Sequence, residues 1–185
     1  MTIRPAKSND LDNIYEIDGT VESHDYLHLD HTQEDLFGTW RLEPRPLREK
    51  LVLANTIDDE LRFTLKQIVL GHDEGTAVVA EHDGQIVALL LAQERPAAAT
   101  MELLDVRVDY DFRRQGIATV MVLQLIEAAR EKSLRAVVSI TRTNNGPAAK
   151  LLNKLNFHYS GLDTHRYTNH DLVKEQSAVL WHYEL

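Results

Sequence analysis

The stretch Leu103-Leu104-Asp105-Val106-Arg107-Val108-Asp109-Tyr110-Asp111-Phe112-Arg113-Arg114-Gln115-Gly116-Ile117-Ala118-Thr119 decides the reading of this chain. An apolar run enters a basic turn, and the turn enters a helical pattern. The first N–H groups of such a helix have no intrahelical partner and point outward. The aligned peptide dipoles add partial positive charge at the same end. An anion such as pyrophosphate is stabilised by both. Gly116 and Ala118 are small, so the backbone can approach the phosphates, and Arg113 and Arg114 add charge and donors. A plain glycine turn with solvated arginines is the simpler account of the same residues. The spacing is neither a Walker loop, which needs a following Gly-Lys-Ser/Thr, nor the glycine pattern of a dinucleotide fold.

Working outward, Thr100 to Val108 reads as a strand and residues 115–131 as a long helix. Apolar residues nearly encircle that helix, leaving Gln124, Glu127 and Glu131 as a narrow polar stripe, the mark of a helix buried against a sheet. Ala136 to Thr141 reads as a buried strand, and the strand–helix–strand unit from 100 to 141 requires a parallel crossover. Pro147 suits the first turn of a further helix, with Ala148, Leu151, Leu152 and Leu155 on one face. Upstream, residues 76–80 and 86–91 are apolar strands joined by Asp83-Gly84, a tight-hairpin signal because both residues tolerate positive φ. Thr2-Ile3-Arg4 is a short first strand, and Ser8 caps a helix reaching about Gly19. Asp58 to Leu70 returns to a helical pattern. Final strands fall near 157–167 and 177–183. Residues 20–56, with Pro44, Pro46, His28 and His31 close together, read as short helices joined by loops. The sum is an α/β (α+β) domain: a mixed, largely antiparallel sheet of about six to seven strands flanked by helices. Residues 1–185 read as one domain with an unassigned helical or loop segment at about 20–72.

The chain has no cysteine, which removes disulfides, thiolate metal sites and a cysteine nucleophile. Its net charge of −9 disfavours nucleic acid and tilts the choice of partner towards amines. No apolar run is long enough to span a bilayer, so a cytoplasmic protein without membrane attachment is expected. His24, His28 and His31 stand at i, i+4 and i+7, but no His-Glu-x-x-His pattern is present. They read as a solvated or substrate-facing loop, and no metal is expected.

The spacing Arg113-x-x-Gly116-x-Ala118 after Val106-Arg107-Val108 resembles the acetyl-CoA signature of the GNAT acetyltransferase superfamily. The Ile3-Arg4-Pro5-Ala6 start, the hairpin, Asn145-x-x-Ala148 and Phe157 follow that family's order. The run Asp111-Phe112-Arg113-x-Gln115-Gly116-Ile117 and the aromatic-rich last strand are similar to its streptothricin acetyltransferase-like subgroup.

The resemblance implies an enzyme that moves acetyl from acetyl-CoA, used as co-substrate, to a primary amine in a ternary complex. It implies that the backbone of Val106 and Val108 pairs with the pantetheine arm. Amides of Arg114, Gln115, Gly116, Ile117, Ala118 and Thr119 would hold the pyrophosphate, with Arg113 adding charge. Asn145 matches a cofactor-contacting asparagine and reads equally well as a helix cap. A carboxylate must take the proton of the attacking amine. Glu102 matches the family's position for such a base, with Asp105 as an amine-binding or orienting group. Strand alternation puts these two on opposite faces unless a bulge intervenes. Asp25, Asp30, Glu34 and Asp35 fall in the family's acceptor wall and would meet a cationic small molecule or protein amine. The family is often dimeric, which leaves a homodimer open. Leu152 stands where the family usually has a tyrosine proton donor, and Asn156 where a glycine is usual. A catalytically degenerate acyl-CoA-binding sensor or scaffold therefore remains an alternative, as does a binder of another phosphorylated ligand.

Overall fold

The computed structural model describes residues 1–34, 37–54 and 56–185, with the side chains of residues 33, 34 and 37 not described. The elements in chain order are β1 (Thr2–Pro5), α1 (Leu11–Tyr15), β2 (Val21–Glu34), β3 (Phe37–Leu53), α2 (Asp59–Val69), β4 (Gly75–His82), β5 (Gln85–Arg95), β6 (Thr100–Val108), α3 (Ile117–Glu131), β7 (Ala136–Arg142), α4 (Gly146–Lys154), β8 (His158–Asp163) and β9 (Ala178–Glu184). A seven-stranded sheet has the order β1-β4-β5-β6-β7-β9-β8, and β2 with β3 forms a separate two-stranded sheet. Antiparallel ladders join β1 to β4, β4 to β5 and β5 to β6, while β6 and β7 run parallel, as the crossover through α3 requires. This is the mixed, largely antiparallel sheet with flanking helices that the sequence implies.

The chain divides into two compact units. The first comprises Met1–Thr20, Ala54–Ser139 and His182–Leu185. Its sheet grows from the hairpin of β4 and β5, where Asp83 and Gly84 take φ values of 49° and 83°. A two-residue turn with both φ positive matches the right-handed twist of the strands it joins. Along β5, Leu89 and Leu91 share one face and enter a core cluster with Ile14, Ile17, Ile57, Leu65, Ala77 and Val79. Ala88, Leu90 and Ala92 alternate to the other face and are equally buried, so that face needs its own cover. The long helix α3 supplies it, with Ile117, Met121, Val122, Leu125, Ile126 and Ala129 buried and packing against β4, β5 and β6.

The first helix is shorter than the pattern predicts. A 3-10 turn at Ser8–Asp10 precedes α1, which ends at Tyr15. Asp10, rather than Ser8, organises this start: its carboxylate accepts from Arg4 at 2.7 and 2.9 Å and from the Lys7 N–H at 2.8 Å. The Arg4 guanidinium holds the Asp10 carboxyl below the usual carboxylate range, with burial working against it and the Lys7 N–H assisting.

The second unit comprises Val21–Leu53 and Ile140–Trp181. Short helices were expected over 20–56; β2 and β3 form a long antiparallel hairpin there instead. Pro44 and Pro46 stand opposite Leu27 and Asp25. Two residues apart, their nitrogens face one side, and an edge strand accommodates proline when that side lies away from its partner. Helix α4 packs on β2. At its start the Gly146 N–H donates to Ser23 Oγ (3.2 Å), and Ser23 Oγ donates to the carbonyl of Asp25 (2.6 Å). No helix of the described residues is long and apolar enough to cross a membrane.

Candidate active site

Strand β6 carries the candidate catalytic residues. On one side it pairs with β5, where Leu91 faces Asp105 and Ala92 faces Leu103, so Leu104 is the extra residue of a bulge. That residue resets the alternation. Gln93 faces Glu102, Leu91 faces Asp105 and Leu89 faces Arg107; since 89, 91 and 93 share a face of β5, Glu102, Asp105 and Arg107 share the matching face of β6. Without the bulge Glu102 and Asp105 would point apart. On the other side, the ladder to β7 covers Thr100 to Leu103. The segment from Leu104 to Val108, with Val106 and Val108 in it, runs past that ladder.

The carboxylates differ in their partners. Glu102 accepts a 2.6 Å bond from Arg95 Nε and is one-fifth exposed. Asp105 accepts a 2.5 Å bond from Arg107 Nε, and both side chains are nearly enclosed. Burial pushes the Asp105 carboxyl above the usual carboxylate range; the Arg107 guanidinium opposes this, and Asp58 adds a smaller push upward. The sequence reading passed over Arg107. Its signal was an arginine two residues from an aspartate in an apolar strand, where alternation puts the pair on one face.

The turn after β6 is built by Arg113. Its Nε donates to the carbonyl of Val108 (2.9 Å), and its terminal nitrogens donate to the carbonyls of Thr20 (2.5 Å) and Asp18 (2.8 Å). The guanidinium also lies 5.2 Å from the Tyr110 ring centroid. All three nitrogens thus serve the protein's own backbone. Arg113 fixes the turn, and its bonds to neutral carbonyls leave its positive charge in place. Arg114 (φ 62°) and Gly116 (φ 83°) then take left-handed conformations, and residues 114 to 116 are exposed. Gly116 is the cap of α3. The first helical bond runs from Val120 N to Gly116 O at 3.0 Å, so the amides of Ile117, Ala118 and Thr119 precede it. A Cβ built on Gly116 meets nothing within 4 Å, so the space where its side chain would stand is open.

In the second unit, Asn145 caps α4: its side chain accepts from the Ala148 N–H at 3.2 Å. The cap reading of this residue is therefore realised. Asp25 is bonded to Lys150 Nζ on the same helix. Asp30 is exposed on β2, opposite Arg41. The side chain of Glu34, and Asp35 altogether, lie outside the described residues. Leu152 is buried on the apolar face of α4. Asn156 has φ 62°, a conformation that glycine and asparagine adopt most readily, which explains how it replaces the family's usual glycine. Among the described residues, no group of three or more His, Asp or Glu side chains is placed to hold a metal ion. A cavity beside His28, Thr143, Glu175 and Ser177 joins residues that sequence spacing could not connect.

Residues 22–157 match the profile of the Acetyltransferase (GNAT) family. N-acetylaspartate synthetase of Danio rerio is 38% identical over 90 residues, which are 49% of this chain and 32% of that protein. The Homo sapiens protein of the same name is 34% identical over 87 residues, 47% of this chain and 29% of that one. The matched region thus spans about a third of these relatives' length. Among solved structures, a protein assigned as a streptothricin acetyltransferase from Bacillus anthracis str. Ames, in complex with acetyl coenzyme A, superimposes with a TM-score of 0.77 at 21% identity, covering 100% of this chain and 99% of that one. A nourseothricin acetyltransferase superimposes with a TM-score of 0.76 at 18% identity, covering 99% and 97%. At such identities these two speak for the fold.

Proposed function

The chain belongs to the Acetyltransferase (GNAT) family, and from that premise we propose that it transfers an acetyl group from acetyl-CoA to a primary amine by direct attack in a ternary complex. The observation that carries this reading is the start of α3. Three amides precede the first helical bond, the helix dipole places its positive end there, and the position of a Gly116 side chain is open. The amides from Arg114 to Thr119 would hold the pyrophosphate, and Arg113 holds the turn that presents them. The edge of β6 at Val106 and Val108 would take the pantetheine arm, since a backbone segment beyond its ladder has N–H and C=O groups to offer. Asn145, which caps α4, keeps its reading as a cofactor contact on the family pattern alone. The whole chain, 1–185, would act as one acetyltransferase domain. We place the reaction in the cytoplasm.

When bound, acetyl-CoA supplies a thioester carbonyl activated towards amines. Glu102 takes a proton from the substrate ammonium, directly or through one water, because only the free amine attacks. A nitrogen–carbon bond forms, the carbon–sulfur bond breaks, the nitrogen releases its second proton to solvent, the thiolate takes a proton from solvent, and Glu102 returns its own proton to solvent. Leu152, in the place of the family's usual tyrosine, supplies none. Asp105 orients: its pairing with Arg107 fixes the β6 segment after the bulge, and the bulge brings Glu102 to the same face. The acidic residues Asp30 and Glu34 would attract a cationic small-molecule or protein acceptor, while Asp25 secures α4 through Lys150. The test is thiol release from acetyl-CoA with a panel of amines, alongside calorimetric binding of acetyl-CoA. Binding with turnover on some amine is expected. Binding without turnover on every amine would replace the enzyme with a sensor module, and no binding of any CoA ester would remove the reading.

A further inference from the structure

In the second unit, the segment before β9 folds around Asp171. That carboxylate is fully buried and accepts from the Tyr167 N–H (2.7 Å), Thr168 Oγ1 (2.7 Å) and Gln176 Nε2 (3.1 Å). The segment is tied to its neighbours by a backbone relay: Leu27 N donates to Thr143 O at 2.8 Å, and Thr143 N donates to Ser177 O at 2.9 Å. Between these strings lies a cavity of about 170 Å³, many times the roughly 10–15 Å³ that one water requires. Leu27 and Leu172 form apolar wall, while His28, Thr143, Glu175 and Ser177 are polar. Thr143 is 1% exposed and Ser177 0%, yet the hydroxyl of each has no hydrogen-bond partner among the described residues. Buried hydroxyls without partners are costly, and natural proteins seldom keep two in one cavity unless something fills it. His28 Nδ1 stands 3.5 Å from Glu175 Oε1 and lacks a hydrogen bond as well.

We propose that this cavity binds a primary alkylammonium group. An ammonium has three donors and no acceptor. The cavity offers the Glu175 carboxylate and two hydroxyl oxygens, with leucine side chains for an alkyl stem and no lysine or arginine in the lining. A carboxylate ligand would meet Glu175 with like charge. A carboxylate beside an amine favours its protonated form. The cavity's preference for an ammonium stands apart from the acetyl-transfer reading.

Calorimetric titration of the protein with 1,5-diaminopentane, 1-aminopentane and aspartate tests this. Both amines should bind and aspartate should not, and Glu175→Gln should weaken both amines by about two- to fivefold, as expected for removing the charge of a part-exposed ion pair. The near-isosteric Thr143→Val should weaken them too. Wild-type protein that binds neither amine, or Glu175→Gln that binds them unchanged, would overturn the cavity assignment. If both amines bind as expected but acetyl-CoA does not, the acetyl-transfer reading fails and the ammonium cavity stands.

Discussion

Glu102 shows how much a single residue's role depends on the geometry around it. Its carboxylate shares a face with Asp105 only because Leu104 is an extra residue in β6. If Glu102 takes the amine proton, Glu102→Gln should lower kcat by about 10²–10⁴ and leave the affinity for acetyl-CoA nearly unchanged, read by steady-state kinetics beside calorimetry. Asp171 offers a test by pH. Burial works to raise its pKa, but the Tyr167 N–H, the Thr168 hydroxyl and the Gln176 amide together hold it at about 2, below its ordinary 3.8. A carboxyl depressed on folding adds stability that is present above its unfolded pKa and lost as pH falls through its folded one. The melting temperature should therefore drop between about pH 4 and pH 2, and Asp171→Asn should flatten that part of the profile. Arg113 marks the limit of reading single residues from sequence. Its place in the signature was legible, but its three bonds to carbonyls of Val108, Thr20 and Asp18 were not. Two of those partners lie over ninety positions away, where no spacing rule reaches.

At the scale of elements, the start of α3 is the best-marked feature. Gly116→Glu should abolish binding of acetyl-CoA by crowding and like charge at the pyrophosphate amides, measured by calorimetry on folded protein. The positive φ adds strain of about 1–2 kcal/mol, so Gly116→Ala should share the strain but retain more affinity. The contact of α4 with β2 depends on another glycine. A Cβ on Gly146 would run into Asp25 Oδ1, Ser23 Oγ at 2.6 Å and the Asp25 carbonyl at 2.8 Å. Gly146→Ala should cost roughly 1–3 kcal/mol, as overpacking does, seen as a lower urea midpoint with an unchanged slope. The strands from β4 to β7 and helices α2 and α3 were legible because apolar periodicity and turn residues agree there. The β2–β3 hairpin was not. Its histidines and charges blur the alternation, and prolines at 44 and 46 read as breakers unless one knows that β3 has only one partner strand. The cap of α4 by Asn145 was one of two readings that the sequence left open for that residue.

At the scale of the molecule, the family and the fold could be read from the signature and the order of elements, while the acceptor could not. The signature is local, a few residues along one turn. The ammonium cavity draws on β2, Thr143 and the loop before β9, segments that only the folded chain brings together. The net charge of −9 agrees with a cationic acceptor but would equally suit plain solubility. Acetyl transfer from acetyl-CoA to an amine is tested by incubating the protein with acetyl-CoA and 1,5-diaminopentane, following thiol release and identifying the amine product by mass spectrometry. The expected result is thiol release that requires the amine, yields a mono-acetylated diamine and is lost in Gly116→Glu. Thiol release at the same rate without any amine, or no binding and no consumption of acetyl-CoA, would contradict it.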